Sequence, residues 1–135
     1  MHPPFPDNII AALAALDPTW YAIAVVAIAI DLLTGFFIKG VLAHAVNSSA
    51  MREGLKNKAW EVALLICAAL VDVALGAGMG LGLQPVGTTT CAFITIMEAT
   101  SVCENALEGN PDLASAPIIR YVAKAKKSAE EGDDE

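Results

Sequence analysis

Three long apolar segments, each with one acidic residue in its interior, constrain the fold of this 135-residue chain more than any other feature. The segments cover residues 19–38, 60–80 and 84–103. Their internal acids are Asp31, Asp72 and Glu98. A helix of about 20 apolar residues crosses a hydrocarbon core of about 30 Å. Since 56% of the residues are hydrophobic and only 17% are charged, the sequence predicts an all-α membrane protein with three transmembrane helices.

Shorter regions flank this predicted membrane domain, which we place at residues 19–105. Residues 1–18 contain an apolar run that is too short to span, and we expect a short helix at the membrane interface. Residues 106–129 form a second region, in which Asn110-Pro111 breaks the chain before an amphipathic helix. Residues 130–135 are an acidic tail, typical of a solvated end.

The positions of the basic residues predict the direction of the spans. Lys and Arg in short loops favour the cytoplasmic side of a membrane. One group lies between the first two spans, at Lys39, Arg52, Lys56 and Lys58, and the other follows the third span, at Arg120, Lys124, Lys126 and Lys127. Three spans put both groups on one side, so we expect an outer N-terminus and an inner C-terminus. A two-span arrangement would split the groups. Trp20, Tyr21 and Trp60 are expected at the membrane interfaces.

The intramembrane acids are costly, because an Asp at the centre of a span opposes insertion by about 2.5 to 3.5 kcal/mol. We therefore expect them to face other helices or water rather than lipid. Small and polar residues follow the same helical faces. They are Ala24, Ala27 and Gly35 on the first span, Glu61, Ala68 and Gly76 on the second, and Thr88, Cys91, Thr95, Ser101 and Asn105 on the third. Such faces predict close packing and association beyond a single chain.

Three interpretations of the acids are open at this stage. They could form a proton or cation pathway, act as hydrogen-bonding groups between helices, or line an oligomeric pore. The predicted spans contain no basic residue, so we expect compensation from protonation or water rather than from an ion pair within the chain. Gly76 and Gly80 could permit close helix packing or belong to a flexible outer loop. The sequence has no arrangement typical of an enzyme, cofactor site or metal site.

Three sequence stretches resemble the phage holin family of the toxin-secretion and phage-lysis type. They are DLLTGFFIKG at 31–40, SSAMREGLKNKAWEVALLICAALVD at 48–72 and ITIMEATSVCENALEGNPDL at 94–113. The similarity lies in an Asp-x-x-x-Gly first span, a basic linker containing glycine, and an acidic segment. In this chain the first element is Asp31 with Gly35, and the third is Glu98, Ser101, Glu104 and Asn105.

This resemblance implies a multi-pass protein of the host bacterial cytoplasmic membrane. It would form homo-oligomers and open holes that release an endolysin or a toxin, without direct contact with the endolysin and without nucleic acid or a cofactor. Two alternatives are a membrane scaffold that recruits a cytoplasmic partner and a subunit of a small ion channel or transporter. The basic residues, including Arg120, Lys124 and Lys127, are expected at the membrane surface, and the C-terminal helix could rest on lipid or pair with a copy of itself.

Overall fold

The computed structural model describes residues 5–42, 48–80 and 84–132, and it is helical almost throughout this part of the chain. Its helices are α1 (Phe5–Ala14), α2 (Pro18–Phe37), α3 (Ser48–Met79), α4 (Pro85–Gly109) and α5 (Pro117–Gly132). A π-helical turn, Ile38–Leu42, extends α2, and a 3-10 turn, Pro111–Ser115, precedes α5. Within these described ranges there is no strand, so the predicted all-α class is confirmed.

Side-chain caps and prolines set the start of α2. Asp17 is the N-cap residue, and its carboxylate accepts a hydrogen bond of 2.9 Å from the Thr19 amide. This bond lowers the pKa of Asp17 below its usual value. Pro18 follows at the first helical position, where its missing amide hydrogen has no cost. The short linker before α2 is also tied to α4, because Gln84 accepts from the Asp17 amide at 3.0 Å and donates to the Ala15 carbonyl.

The three long helices run up, down and up. Contacts join the start of α2 to the start of α4, where Tyr21 meets Gly87, and the end of α2 to the end of α4, where Thr34 meets Asn105. The two helices are therefore parallel. Helix α3 runs antiparallel to both, and α4 packs against both neighbours, most extensively against α2.

The core between these helices is built from small and branched aliphatic side chains. Its buried members are Ala24, Ile28, Leu65, Cys91 and Ile94, and Tyr21 packs against them. Ala24 and Cys91 have no exposed surface, which lets α2 and α4 approach closely. This close approach agrees with the small-residue face predicted for the first span.

The outer surface of the bundle is apolar. Large side chains such as Leu33, Leu70 and Ile96 are at least 60% exposed, an arrangement that suits lipid rather than water. Three stretches of the described chain are long and apolar enough to cross a membrane, namely Pro18–Val41, Met51–Met79 and Pro85–Gly109. The three predicted spans are confirmed, although the helices containing the second and third extend beyond the predicted bounds. The direction of the spans across the membrane stays a prediction.

The flanking segments differ in detail from the sequence-based expectations. Helix α1 packs against α3, and its position at a membrane interface stays a prediction. Helix α5 continues to Gly132 and so includes the first residues of the acidic tail, while residues 133–135 and 1–4 lie outside the described ranges. Gly76 is helical, whereas Gly80 has a φ of 65° and follows the last helical residue, Met79. Gly80 therefore terminates α3, a role that suits glycine.

Candidate functional site

A polar cluster joins the three candidate spans near the ends of α2 and α4 and the beginning of α3. We call it the Lys58 cluster. Its members are Asp31 and Thr34 from α2, Lys58 and Glu61 from α3, and Glu98 and Asn105 from α4. Every span contributes two residues, so the predicted polar faces meet inside one subunit.

Lys58 is the centre of this cluster. Its Nζ lies 2.8 Å from Asp31 Oδ2 and 2.5 Å from Glu98 Oε2. Glu61, one helical turn further along α3, is 3.4 Å from the same nitrogen. The lysine side chain is only 15% exposed, and that of Glu98 only 2%. One ammonium group therefore connects the acids of three helices.

This geometry corrects one expectation. An ion pair within the chain was not expected, because the second span was predicted to begin at Trp60. In the structure α3 begins at Ser48, and it carries Lys58 inward against Asp31 and Glu98. Lys58 is only 15% exposed, whereas Lys39, Arg52 and Lys56 are exposed, and the location of these lysines and this arginine at a membrane surface stays a prediction.

Asn105 completes the cluster on the α2 side. Its Nδ2 donates to Asp31 Oδ1 at 3.2 Å and to Thr34 Oγ1 at 3.3 Å. The Thr34 hydroxyl in turn donates to the Asp31 carbonyl oxygen at 3.1 Å. Both oxygens of the Asp31 carboxylate are therefore engaged, one by Lys58 and one by Asn105. A buried carboxylate needs such partners, because desolvation without them costs several kcal/mol.

Charge in the cluster is unbalanced. Three carboxylates, those of Asp31, Glu61 and Glu98, surround one ammonium. The attraction to Lys58 holds the helices together, whereas the carboxylates repel one another. The lysine therefore links the acids of three helices, and without it these carboxylates would have no counter-ion in the cluster.

The third intramembrane acid, Asp72, has a separate role at the opposite end of the bundle. Its Oδ1 accepts from the Val86 amide at 3.2 Å and its Oδ2 from the Gly87 amide at 2.6 Å. Gln84 stands at the N-cap position of α4 but makes no side-chain capping bond there. Asp72 of α3 therefore caps α4 across the hairpin, and its negative charge faces the positive end of the helix dipole.

This capping role gives a first testable prediction. Asp72→Ala is expected to destabilise the folded bundle by about 0.5 to 2 kcal/mol, because the amides of the first turn of α4 lose their acceptor. The loss is measurable as a shift in reversible unfolding in mixed micelles. Asp72→Asn keeps one acceptor oxygen and is expected to lose less than Asp72→Ala. Equal stability of Asp72→Ala and the unaltered chain would contradict the capping role.

The other predicted residues have varied positions. Ala24 is buried and Ala27 half-buried on the inner face of α2, and Thr95 and Ser101 are half-buried on α4. Gly35 lies near Asn105, but an added Cβ would meet it at 3.6 Å, an ordinary contact. Glu104 is exposed. Arg120, Lys124 and Lys127 of α5 are exposed.

Sequence reasoning missed the roles of four residues. Thr34 and Gln84 make hydrogen bonds between elements, Glu61 pairs with Lys58, and Gly87 lies against Tyr21. Tyr21 turns inward, and its hydroxyl is buried beside Gly87, while its position at a membrane interface stays a prediction. The spacing of Thr34 three residues after Asp31 could have indicated a shared helical face. The pairing of Tyr21 with Gly87 depends on helix register, which the sequence does not encode locally.

The inward orientation of the polar faces also changes the argument about assembly. Those faces were expected to require other copies of the chain, because polar residues in lipid seek partners. In the structure Asp31, Asp72 and Glu98 are all buried and have partners within one subunit. A single subunit can therefore exist in lipid without exposing its acids.

The architecture defines a small helical membrane protein with three candidate spans fastened by an internal ion-pair cluster. Residues 7–115 match the family model of the bacteriophage holin family. Because the match covers most of the 135 residues, the chain belongs to that family. Membership indicates a non-enzymatic membrane protein. No curated protein and no solved structure matches the chain significantly.

Proposed function

We propose that this chain is a holin that assembles in the bacterial cytoplasmic membrane and opens holes through which a folded endolysin, or another protein, leaves the cell. The family match over residues 7–115 carries the proposal. Three apolar helices supply the membrane domain. In the proposed orientation the N-terminus is outside, and the Lys58 cluster lies towards the cytoplasm.

The closed subunit is the form with the Lys58 cluster intact. Its polar atoms face one another, and its outer surface is apolar, so subunits can accumulate in the membrane without forming a water-filled path. The short contacts from Lys58 to Asp31 and Glu98 oppose separation of the three helices. Accumulation without leakage follows from this internal satisfaction of charge.

Opening requires the polar faces to leave one another and to face a common lumen. Water then hydrates Lys58, Asp31 and Glu98, and their separation relieves the repulsion among carboxylates. Many subunits that change together make the transition abrupt, because a preference of a few kcal/mol per subunit is multiplied across the assembly. Homo-oligomerisation is therefore part of the proposal, and it occurs through surfaces other than the buried polar faces.

Release of a reporter enzyme tests this function. The chain is expressed in bacteria that contain a folded cytoplasmic enzyme, and extracellular enzyme activity is followed with time. We expect abrupt release after a delay. Asp31→Asn is expected to shorten the delay at matched expression, because the closed form loses the 2.8 Å ion pair with Lys58. Glu108→Gln, which neutralises an exposed acid of α4, is the matched control and is expected to leave the delay unchanged.

Two results would contradict the proposal. Loss of membrane potential without enzyme release would indicate a small channel or transporter subunit, for which the buried cluster of charges is the favouring observation. Membrane insertion with neither effect would indicate a scaffold. An unchanged delay in Asp31→Asn, with release intact, would leave the holin function standing but remove the proposed role of the cluster in closure.

A further inference from the structure

We propose that α5 docks on an anionic lipid leaflet at the end of the bundle that carries the Lys58 cluster. The helix has one side against the protein and a second apolar side without a protein partner in the described chain. Ile119 is buried, with 7% of its surface exposed, whereas Ile118 and Tyr121 are 62% and 75% exposed. The exposed pair lies three residues apart and so occupies one side of the helix.

Basic side chains flank this exposed apolar side. Arg120 and Lys124 are four residues apart, so they lie on one face of α5, and both are exposed. Lys127, also exposed, continues the same face. An amphipathic helix with apolar and basic faces of this kind lies in the plane of a membrane interface, where the apolar side chains enter the headgroup boundary.

The position of α5 makes the leaflet accessible to it. Only the 3-10 turn Pro111–Ser115 and Ala116 separate α5 from Asn110, the C-cap residue that follows the candidate span of α4. The exposed residues Lys39 and Lys56 belong to the turn after α2 and the start of α3, and both elements lie at this same end of the bundle. The α5 helix therefore begins beside a membrane surface that already faces several basic residues.

Charge favours anionic lipid over a second copy of α5. A second copy would bring another Arg120 and Lys124 to this part of α5, and these like charges would repel. Anionic headgroups neutralise them, with an attraction of about fivefold per basic residue near the surface. The inference needs the membrane location of the chain but not the opening of holes, so each proposal can fail while the other stands.

A single tryptophan placed on the exposed side tests the docking. Trp20→Phe and Trp60→Phe remove the native indoles from the full-length chain, and Tyr121→Trp introduces the probe. The protein is reconstituted in vesicles of phosphatidylcholine alone or of equal parts phosphatidylcholine and phosphatidylglycerol. We expect a blue-shifted emission and protection from acrylamide quenching only in the vesicles that contain phosphatidylglycerol. Salt at 1 M should weaken the protection, because the Debye length falls to about 3 Å.

Charge-neutral variants separate docking from general electrostatics. Arg120→Gln with Lys124→Gln is expected to lower the ratio of docked to undocked helix about 30-fold. Lys39→Gln with Lys56→Gln removes the same charge from outside α5 and is expected to retain the protection. Circular dichroism verifies that each variant remains helical.

Three outcomes would overturn the inference. One is equal protection in the two kinds of vesicle, and another is full protection in the variant that lacks Arg120 and Lys124. The third is protection that rises with the ratio of protein to lipid at fixed lipid composition, which would indicate pairing with a second copy. Enzyme release in the bacterial assay is scored separately, so its presence or absence does not affect this test.

Discussion

Replacing Lys58 with methionine is expected to destabilise the folded bundle by about 3 to 5 kcal/mol, the range observed when one partner of a buried ion pair is removed. Methionine keeps an unbranched chain but supplies no positive charge. Asp31 and Glu98, whose side chains are 10% and 2% exposed, would then face each other without the ammonium between them. Their carboxylates would retain the cost of desolvation and lose its compensation.

Unfolding of the purified protein in mixed detergent and dodecyl sulfate micelles measures this effect by the loss of helical circular dichroism. Lys56→Met is the matched control, because Lys56 lies on the same helix two residues earlier and is exposed. It should change stability by less than about 0.5 kcal/mol. Equal stability of the Lys58 and Lys56 variants would show that the cluster does not fasten the spans.

A combined variant distinguishes lost charge pairing from lost packing. Lys58→Met together with Asp31→Asn, Glu61→Gln and Glu98→Gln removes the three carboxylates that the single variant leaves without a counter-ion. We expect it to recover much of the lost stability, since neutral replacement of a complete buried ion network is often close to neutral in free energy. In the release assay Lys58→Met should shorten the delay more than Asp31→Asn does, because it breaks every ion pair in the cluster. No recovery in the combined variant would assign the loss to packing instead.

The spacing of the polar residues was sufficient to predict which face of each helix carries the acids, although we expected those faces to pack against other copies of the chain. Asp31 on α2 and both Glu98 and Asn105 on α4 lie on the predicted faces, and the structure brings them together. Periodicity of 3.6 residues carries this information directly. The three-span fold followed from segment length for the same local reason, and it needed no knowledge of the contacts between the helices.

The position of Lys58 could not be read from the same pattern. Apolar character begins near Trp60, so the sequence pattern places Lys58 outside the span, but helical structure continues back to Ser48. A lysine at the end of a span commonly extends towards the interface. Here two acids on neighbouring helices draw it inward, and that preference is a property of the packed bundle. Sequence periodicity predicts which face of each helix is buried. Which residue of the neighbouring helix a buried side chain contacts depends on the axial register of the two helices.

The axial register of the helices leaves the least space at Gly87, where side chains of α2 and α3 lie against the backbone of α4. Gly87→Ala is therefore expected to destabilise the bundle by about 1 to 3 kcal/mol, as overpacking in a filled interior does. A Cβ at this position would collide with the Tyr21 hydroxyl and would lie 2.6 Å from Asp72 Oδ2. The first turn of α4 would have to move away from the carboxylate that caps it. One added methyl group thus disturbs both the contact of α2 with α4 and the cap from α3.

The matched control is Gly78→Ala, in which the new Cβ meets no atom of the described residues within 4 Å. Alanine is favoured over glycine within a helix by about 1 kcal/mol, so this variant should be at least as stable as the unaltered chain. The same micelle unfolding measurement compares the two substitutions. Loss of stability in both variants would contradict the specific steric explanation.

Tyr21→Phe provides the partial rescue that identifies the colliding atom. The tyrosine hydroxyl makes no hydrogen bond within the described part of the chain, so its removal alone should have a small effect. In the Gly87→Ala background it removes the nearest obstacle and leaves the ring carbon at 3.1 Å and the carboxylate at 2.6 Å. The double variant should therefore recover part of the loss, and a non-additive result reports direct contact between the two positions. Strict additivity would mean that α2 and α4 do not meet at this register, and the parallel alignment that brings Asp31 to Asn105 would then lose its support at the other end of the bundle.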